Sequence, residues 1–125
     1  MALLGLLPAA AEAAWLGYRN DLDMPVIVQG ASVQKGRVIR GKAHLLNPDD
    51  VAWDAIVLPG TKIITIYDAK DTTKILFQGP VVCGADDLFF SIQPVPPPRK
   101  GEPPPKYKYR LVPAKPPKPP PRMPR

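Results

Sequence analysis

The run Leu58-Pro59-Gly60-Thr61-Lys62-Ile63-Ile64-Thr65-Ile66-Tyr67-Asp68 constrains the fold more than any other stretch. A Pro-Gly turn feeds residues dense in β-branched and aromatic side chains. Such side chains suit a pleated backbone and lose rotamer freedom in a helix. Alternate positions place Ile64 and Ile66 on one side, and Ile63, Thr65 and Tyr67 on the other. Both sides are largely apolar, which reads as an internal strand covered on two sides rather than a solvent-facing edge.

Comparable runs recur about every 10 residues along the chain, the spacing of a sandwich or barrel. Trp15–Asn20 opens the domain. Val26–Val33 follows a turn-rich stretch, with Gly30 as a bulge candidate. Gln34-Lys35-Gly36 reads as a three-residue hairpin loop, from which Arg37–Arg40 returns. Lys42–Leu46 leads into Asn47-Pro48-Asp49-Asp50, where proline at the second position predicts a type I turn. Val51–Val57 is short and extended, with one helical turn as the alternative. Lys74–Gln78 pairs back on Ile63–Tyr67 across the polar loop Asp68–Thr73, and Gly79-Pro80 divides it from a short Val81–Cys83 run. Leu88–Gln93 is the most aromatic strand.

No convincing amphipathic helix interrupts this rhythm. The expected fold class is therefore all-β: a single small antiparallel β-sandwich of about 7–8 short strands, with a proline-rich loop and tail.

Proline and charge separate the C-terminal quarter from the rest. Thirteen of the 19 prolines lie between Val95 and Arg125. The same 95–125 span holds nine Lys or Arg against one acid, Glu102, whereas residues 1–94 hold eight cations against ten acids. The overall charge of +6 thus belongs to the last segment, and any electrostatic partner site is expected there. Prolines from Pro94 to Pro105 cannot join a ladder. Lys106-Tyr107-Lys108-Tyr109-Arg110-Leu111-Val112 alternates cleanly and reads as a last strand hairpinned to Leu88–Gln93. Its basic side suits a sheet edge, where lysines deter further pairing. The candidate binding residues are Lys106, Lys108, Arg110, Lys115, Lys118 and Arg122. The partner they suit is an anionic envelope polymer or a protein. Nucleic acid is disfavoured, because alternation puts the tyrosines and the cations on opposite faces of the strand.

Residues 1–14 resemble a signal peptide without the usual basic front: a short apolar run, a proline, and two A-x-A patterns, Ala9-Ala10-Ala11 and Ala11-Glu12-Ala13. The run is too short for a transmembrane helix, and none is expected elsewhere. The domain is expected over 15–112, with 94–105 as its proline-rich loop and 113–125 as a basic, proline-rich tail, disordered or in polyproline II conformation.

Chemistry-bearing clusters are sparse. His44 is the only histidine, which removes His-rich zinc sites. A Ser-His-Asp arrangement would need Ser32 or Ser91, and neither sits in a G-x-S-x-G elbow. The acidic pairs Asp21/Asp23, Asp49/Asp50 and Asp86/Asp87 match no known calcium loop and are normal turn chemistry. Nucleotide-binding motifs are absent from the sequence. The one cysteine, Cys83, excludes an intrachain disulfide and reads as a small buried hydrophobe. No catalytic residue, metal ligand or cofactor is expected.

Tyr18-Arg19-Asn20-Asp21, Pro25-Val26-Ile27-Val28-Gln29-Gly30, Leu58-Pro59-Gly60, Ile66-Tyr67-Asp68-Ala69, Leu76-Phe77-Gln78 and Phe89-Phe90-Ser91-Ile92-Gln93 together carry a resemblance. Between Tyr18 and Leu111 the chain resembles a group of small exported bacterial β-domain proteins of unknown function. That resemblance implies a shared β-domain and export, and it implies no activity. The leading expectation is a non-enzymatic exported β-sandwich with a structural or binding role at the cell envelope. The alternative is a cytoplasmic adaptor that binds a partner protein or nucleic acid through its basic edge strand and proline-rich tail.

Overall fold

A computed structural model describes residues 14–121. Residues 1–13, most of the signal-like segment, and Arg122 of the candidate set lie outside it. Eight strands form two four-stranded sheets, and the described residues contain no helix. They include no helix long and apolar enough to cross a membrane. The strands are β1 (Ala14–Asn20), β2 (Val26–Gln34), β3 (Arg37–Leu46), β4 (Val51–Ile56), β5 (Gly60–Asp68), β6 (Asp71–Cys83), β7 (Leu88–Pro94) and β8 (Tyr109–Pro113). One sheet runs β4-β1-β7-β8 and the other β3-β2-β5-β6.

The all-β sandwich agrees with the strand rhythm of the sequence. One pair departs from a wholly antiparallel design: β1 and β7 run parallel, with Gly17 opposite Phe89. β7 reaches β1 from the other sheet through the 84–87 turn, so no hairpin sets its direction. Parallel pairs need such a crossover.

The core lies between the sheets. Leu16 and Tyr18 of β1, Val26 and Val28 of β2, Ile64 and Ile66 of β5, and Ile92 of β7 are all fully buried. Each is an alternate residue of its strand, as a half-buried sheet requires. Asn20 is the buried polar pin at the end of β1. Its Nδ2 donates to the carbonyls of Met24 and Leu46, and its Oδ1 accepts the Leu22 N–H. The Met24 and Leu22 bonds tie the 21–25 link between the sheets to the core, and the Leu46 bond ties in the end of β3.

β5 is internal, flanked by β2 and β6, as its composition suggests. Its two faces are covered differently, however. Ile64 and Ile66 enter the core, while Ile63, Thr65 and Tyr67 point outward among Gln29, Arg40 and Gln78, where Thr65 is 7% exposed and Ile63 and Tyr67 are half-buried. Among the described residues no further sheet packs on that outer face.

Several local expectations are corrected. The β2–β3 loop has two residues rather than three: Lys35 and Gly36 both take positive φ, 50° and 75°. That is the mirror-image turn whose twist matches a hairpin. The bulge near Gly30 places its extra residue on β3, where Gly41 and Lys42 face Gly30. The 47–50 turn carries Asp49 at φ 71°, with the Asp50 N–H donating to the Asn47 carbonyl at 3.0 Å. Positive φ at the third position makes it type II rather than type I. Docking explains the choice, since the Asp49 N–H donates to the Asn20 carbonyl at 2.7 Å.

The expected 68–73 loop shrinks to Ala69-Lys70, with Asp68 paired to Asp71. Val51–Ile56 is a strand and not a helical turn. Gly79-Pro80 does not divide β6. Pro80 pairs with Ile63 in one continuous 13-residue strand. β6 is an edge strand, so the N–H that proline lacks has no second neighbour to serve.

Candidate functional site

The sandwich has two open sides, and they are closed differently. On one side the edge strands β3 and β4 meet through His44 and Asp54. On the other side β6 faces β8 and the chain that leads into it. There the Phe77 and Tyr107 rings lie 5.7 Å apart at 59°, within the range of a favourable tilted pair. Beside this contact opens a cleft of about 270 Å³ lined by Lys74, Ile75, Leu76, Lys106, Tyr107, Lys108 and Tyr109.

Local sequence dictates this wall. The Val95 N–H donates to the Lys108 carbonyl at 2.8 Å, beyond the Pro94–Tyr109 pair. Pro96 and Pro97, which the register would set opposite Tyr107 and Lys106, carry no N–H, so the ladder cannot continue past it. The last strand therefore begins at Tyr109, not at Lys106 as the alternating pattern predicts. The consequence is chemical. Tyr109 packs against the core from β8 and Tyr107 lies on Phe77 from the irregular segment before it, while Lys106, Lys108 and Arg110 stay exposed. Lys106, freed from the pleat, brings its Nζ to 5.4 Å from the centre of the Tyr107 ring. Cations and tyrosines thus share one cleft, which strict alternation would forbid.

The structure sorts the sequence-predicted cations into two sets. Lys106 and Lys108 line the cleft. Arg110 sits on β8 opposite Gln93, and Lys115 and Lys118 follow the strand as exposed residues without regular structure. Lys74 completes the cleft from β6. It is a residue that sequence reasoning missed, because nothing in the chain links position 74 to position 106. Among the described residues no acid lines the cleft. Asp71, whose carboxyl is held below the usual range mainly by hydrogen bonds from Thr73, also feels Lys74.

The other candidate residues have structural partners. Ser91 donates to Asp21, and Gln93 donates to Ser91 Oγ at 3.0 Å. Arg19 Nε holds both Asp21 oxygens at 2.8 and 3.0 Å. His44 and Ser91 therefore belong to separate pairs. Of the turn acids, Asp50 accepts the Asn47 N–H and Asp87 the Trp15 N–H. Cys83 is 2% exposed, and burial pushes its thiol up against the opposing pull of Lys62. Burial likewise raises the Tyr18 phenol, with Asp54 adding to it.

No family model matches the chain, and neither the curated proteins nor the solved structures contain a match.

Proposed function

We propose that this protein is a non-enzymatic binding domain of the cell envelope that holds an anionic envelope polymer in the β6–β8 cleft. The observation that carries the reading is the meeting of Lys74, Lys106 and Lys108 with Tyr107 and Tyr109 around one cleft. Three ammonium groups suit repeated phosphate or carboxylate groups. Tyrosine rings suit the apolar faces of a sugar or polyol backbone between them. Export is supported by the sequence patterns Ala9-Ala10-Ala11 and Ala11-Glu12-Ala13, which lie just ahead of the β-domain.

The test uses a poly(glycerol phosphate) and a carboxylated glycan as probes, with a neutral glycan as control. Both anionic chains bind, more weakly as salt rises. The combined Lys74→Gln, Lys106→Gln and Lys108→Gln variant loses about tenfold in affinity, at roughly half a kcal/mol for each exposed charge. Unchanged affinity in that variant overturns the site. Recovery of the full-length, uncleaved chain from the cytoplasm overturns the location and favours the adaptor reading.

A further inference from the structure

A second basic surface lies at the far edge of the β3-β2-β5-β6 sheet from the cleft. β2 pairs with β5 only from Val26 to Ser32, and β3 is an edge strand. Past Ser32 the β2–β3 hairpin therefore continues as a two-stranded arm, and every residue from Val33 to Arg40 is exposed. Val33, Val38 and Ile39 are 55%, 62% and 52% exposed. The register puts Val33 against Val38, and Ile39 against Ser32. The two valines occupy one face of the ribbon and Ile39 the other. No third strand can shelter them.

The arm is also strongly cationic. Lys35, Arg37, Arg40 and Lys42 fall in a stretch from Met24 to Pro48 that contains no acid. Among the described residues none of the four makes an ion pair. Cations on an edge strand deter edge-to-edge pairing, but that leaves three exposed aliphatic side chains unexplained. A polyanion in solution would satisfy the charges and leave the aliphatics in water. An anionic bilayer surface satisfies both when the arm enters it end-on: the valines on one face and the isoleucine on the other then reach the boundary region together, and headgroups take the cations. Long cationic side chains reach back to the headgroups while their stems stay apolar.

We propose that the β2–β3 arm docks the protein on an anionic lipid surface. The mirror-image turn at Lys35-Gly36 and the ladder behind it hold the arm rigid, so seating it costs little ordering entropy.

The test is co-sedimentation of the full chain with vesicles of phosphatidylglycerol and phosphatidylcholine, and with vesicles of phosphatidylcholine alone. The chain partitions onto the anionic vesicles, and less so at high salt. Lys35→Gln with Arg37→Gln lowers the partition coefficient by about 30-fold, from the weight of two cations near the surface. Val38→Ser with Ile39→Ser lowers it by about tenfold through lost apolar burial. All four positions are exposed on the arm, and an unchanged circular dichroism spectrum shows that the variants fold. Equal binding to neutral vesicles, or wild-type binding by either variant pair, overturns the proposal. Loss with the cation pair alone also overturns it, because it marks a plain polyanion contact. The Lys106→Gln, Lys108→Gln variant binds vesicles like the parent, which separates this surface from the cleft.

Discussion

His44 Nε2 lies 2.6 Å from Asp54 Oδ1 and ties the edge of one sheet to the edge of the other. His44 stands opposite Val28, and Asp54 opposite Leu16, so both start from the core side of their strands. Their side chains are 13% and 21% exposed. The single histidine of the chain is thereby a clasp between the layers. We expect His44→Ala and Asp54→Ala each to destabilise the fold, with a coupling energy of about 1–2 kcal/mol in the double-mutant cycle, as for a hydrogen bond to a charged group. Urea unfolding of the four proteins measures it. Strictly additive losses would show that the pair does not hold the layers together.

Gly17 supplies a second test. It lies between Trp53 on β4 and Phe89 on β7, whose ring centres are 5.2 Å apart. A Cβ at position 17 would come within 2.5 Å of Trp53 and 2.6 Å of Phe89. The two rings close over the bare backbone, and Arg19 sits 5.6 Å from the centre of Phe89. Gly17→Ala should therefore lower stability by about 1–3 kcal/mol, the usual cost of overpacking. Thermal unfolding reads it. Trp53→Ala in the same background removes one obstacle, so it should cost less there than in the parent.

Asp21 sets the acid limb of the stability curve. The Arg19 hydrogen bonds hold its carboxyl below the usual range, burial opposes them, and the Ser91 hydroxyl adds to the lowering. A depressed folded-state value means that the contribution is complete above the ordinary aspartate range, about 4. It is lost as pH falls through the folded value. Asp21 is well exposed, so solvent screens the pair and the contribution is small, below about 1 kcal/mol. Denaturation midpoints from pH 7 down to 2 should fall more gently in Asp21→Asn than in the parent. Parallel curves would remove Asp21 from the acid response.

Much of the fold was legible because strands announce themselves locally. The Ile63–Tyr67 run, the aromatic Leu88–Gln93 run and the turn residues between them follow from propensity and period alone. Pro80 misled for the same reason. A proline reads locally as a break, but an edge strand needs only one ladder of hydrogen bonds. Asp49 misled likewise, since its left-handed conformation comes from docking on Asn20 rather than from its own turn.

The candidate sites divide along the same line. Lys106 and Lys108 could be picked out as cations in a basic stretch, but Lys74 could not, because 31 intervening residues separate it from Lys106. The β2–β3 arm is masked in the chain by the acids around it: residues 1–94 carry a net negative charge, while the only charged residues of Met24–Pro48 are cations.

The sequence by itself determined the all-β class, the order and most of the extents of the strands, the proline-rich loop before the last strand, and the basic C-terminal segment. Those properties depend on neighbours in the chain: side-chain branching, alternation, and which residues lack an N–H. Only the tertiary structure decided which strands became edges, that β1 and β7 run parallel, that one face of β5 turns away from the core, and that Lys74 joins Lys106 and Lys108. Those depend on which of several compatible strand pairings buries the most apolar surface, and that is a sum over the whole chain.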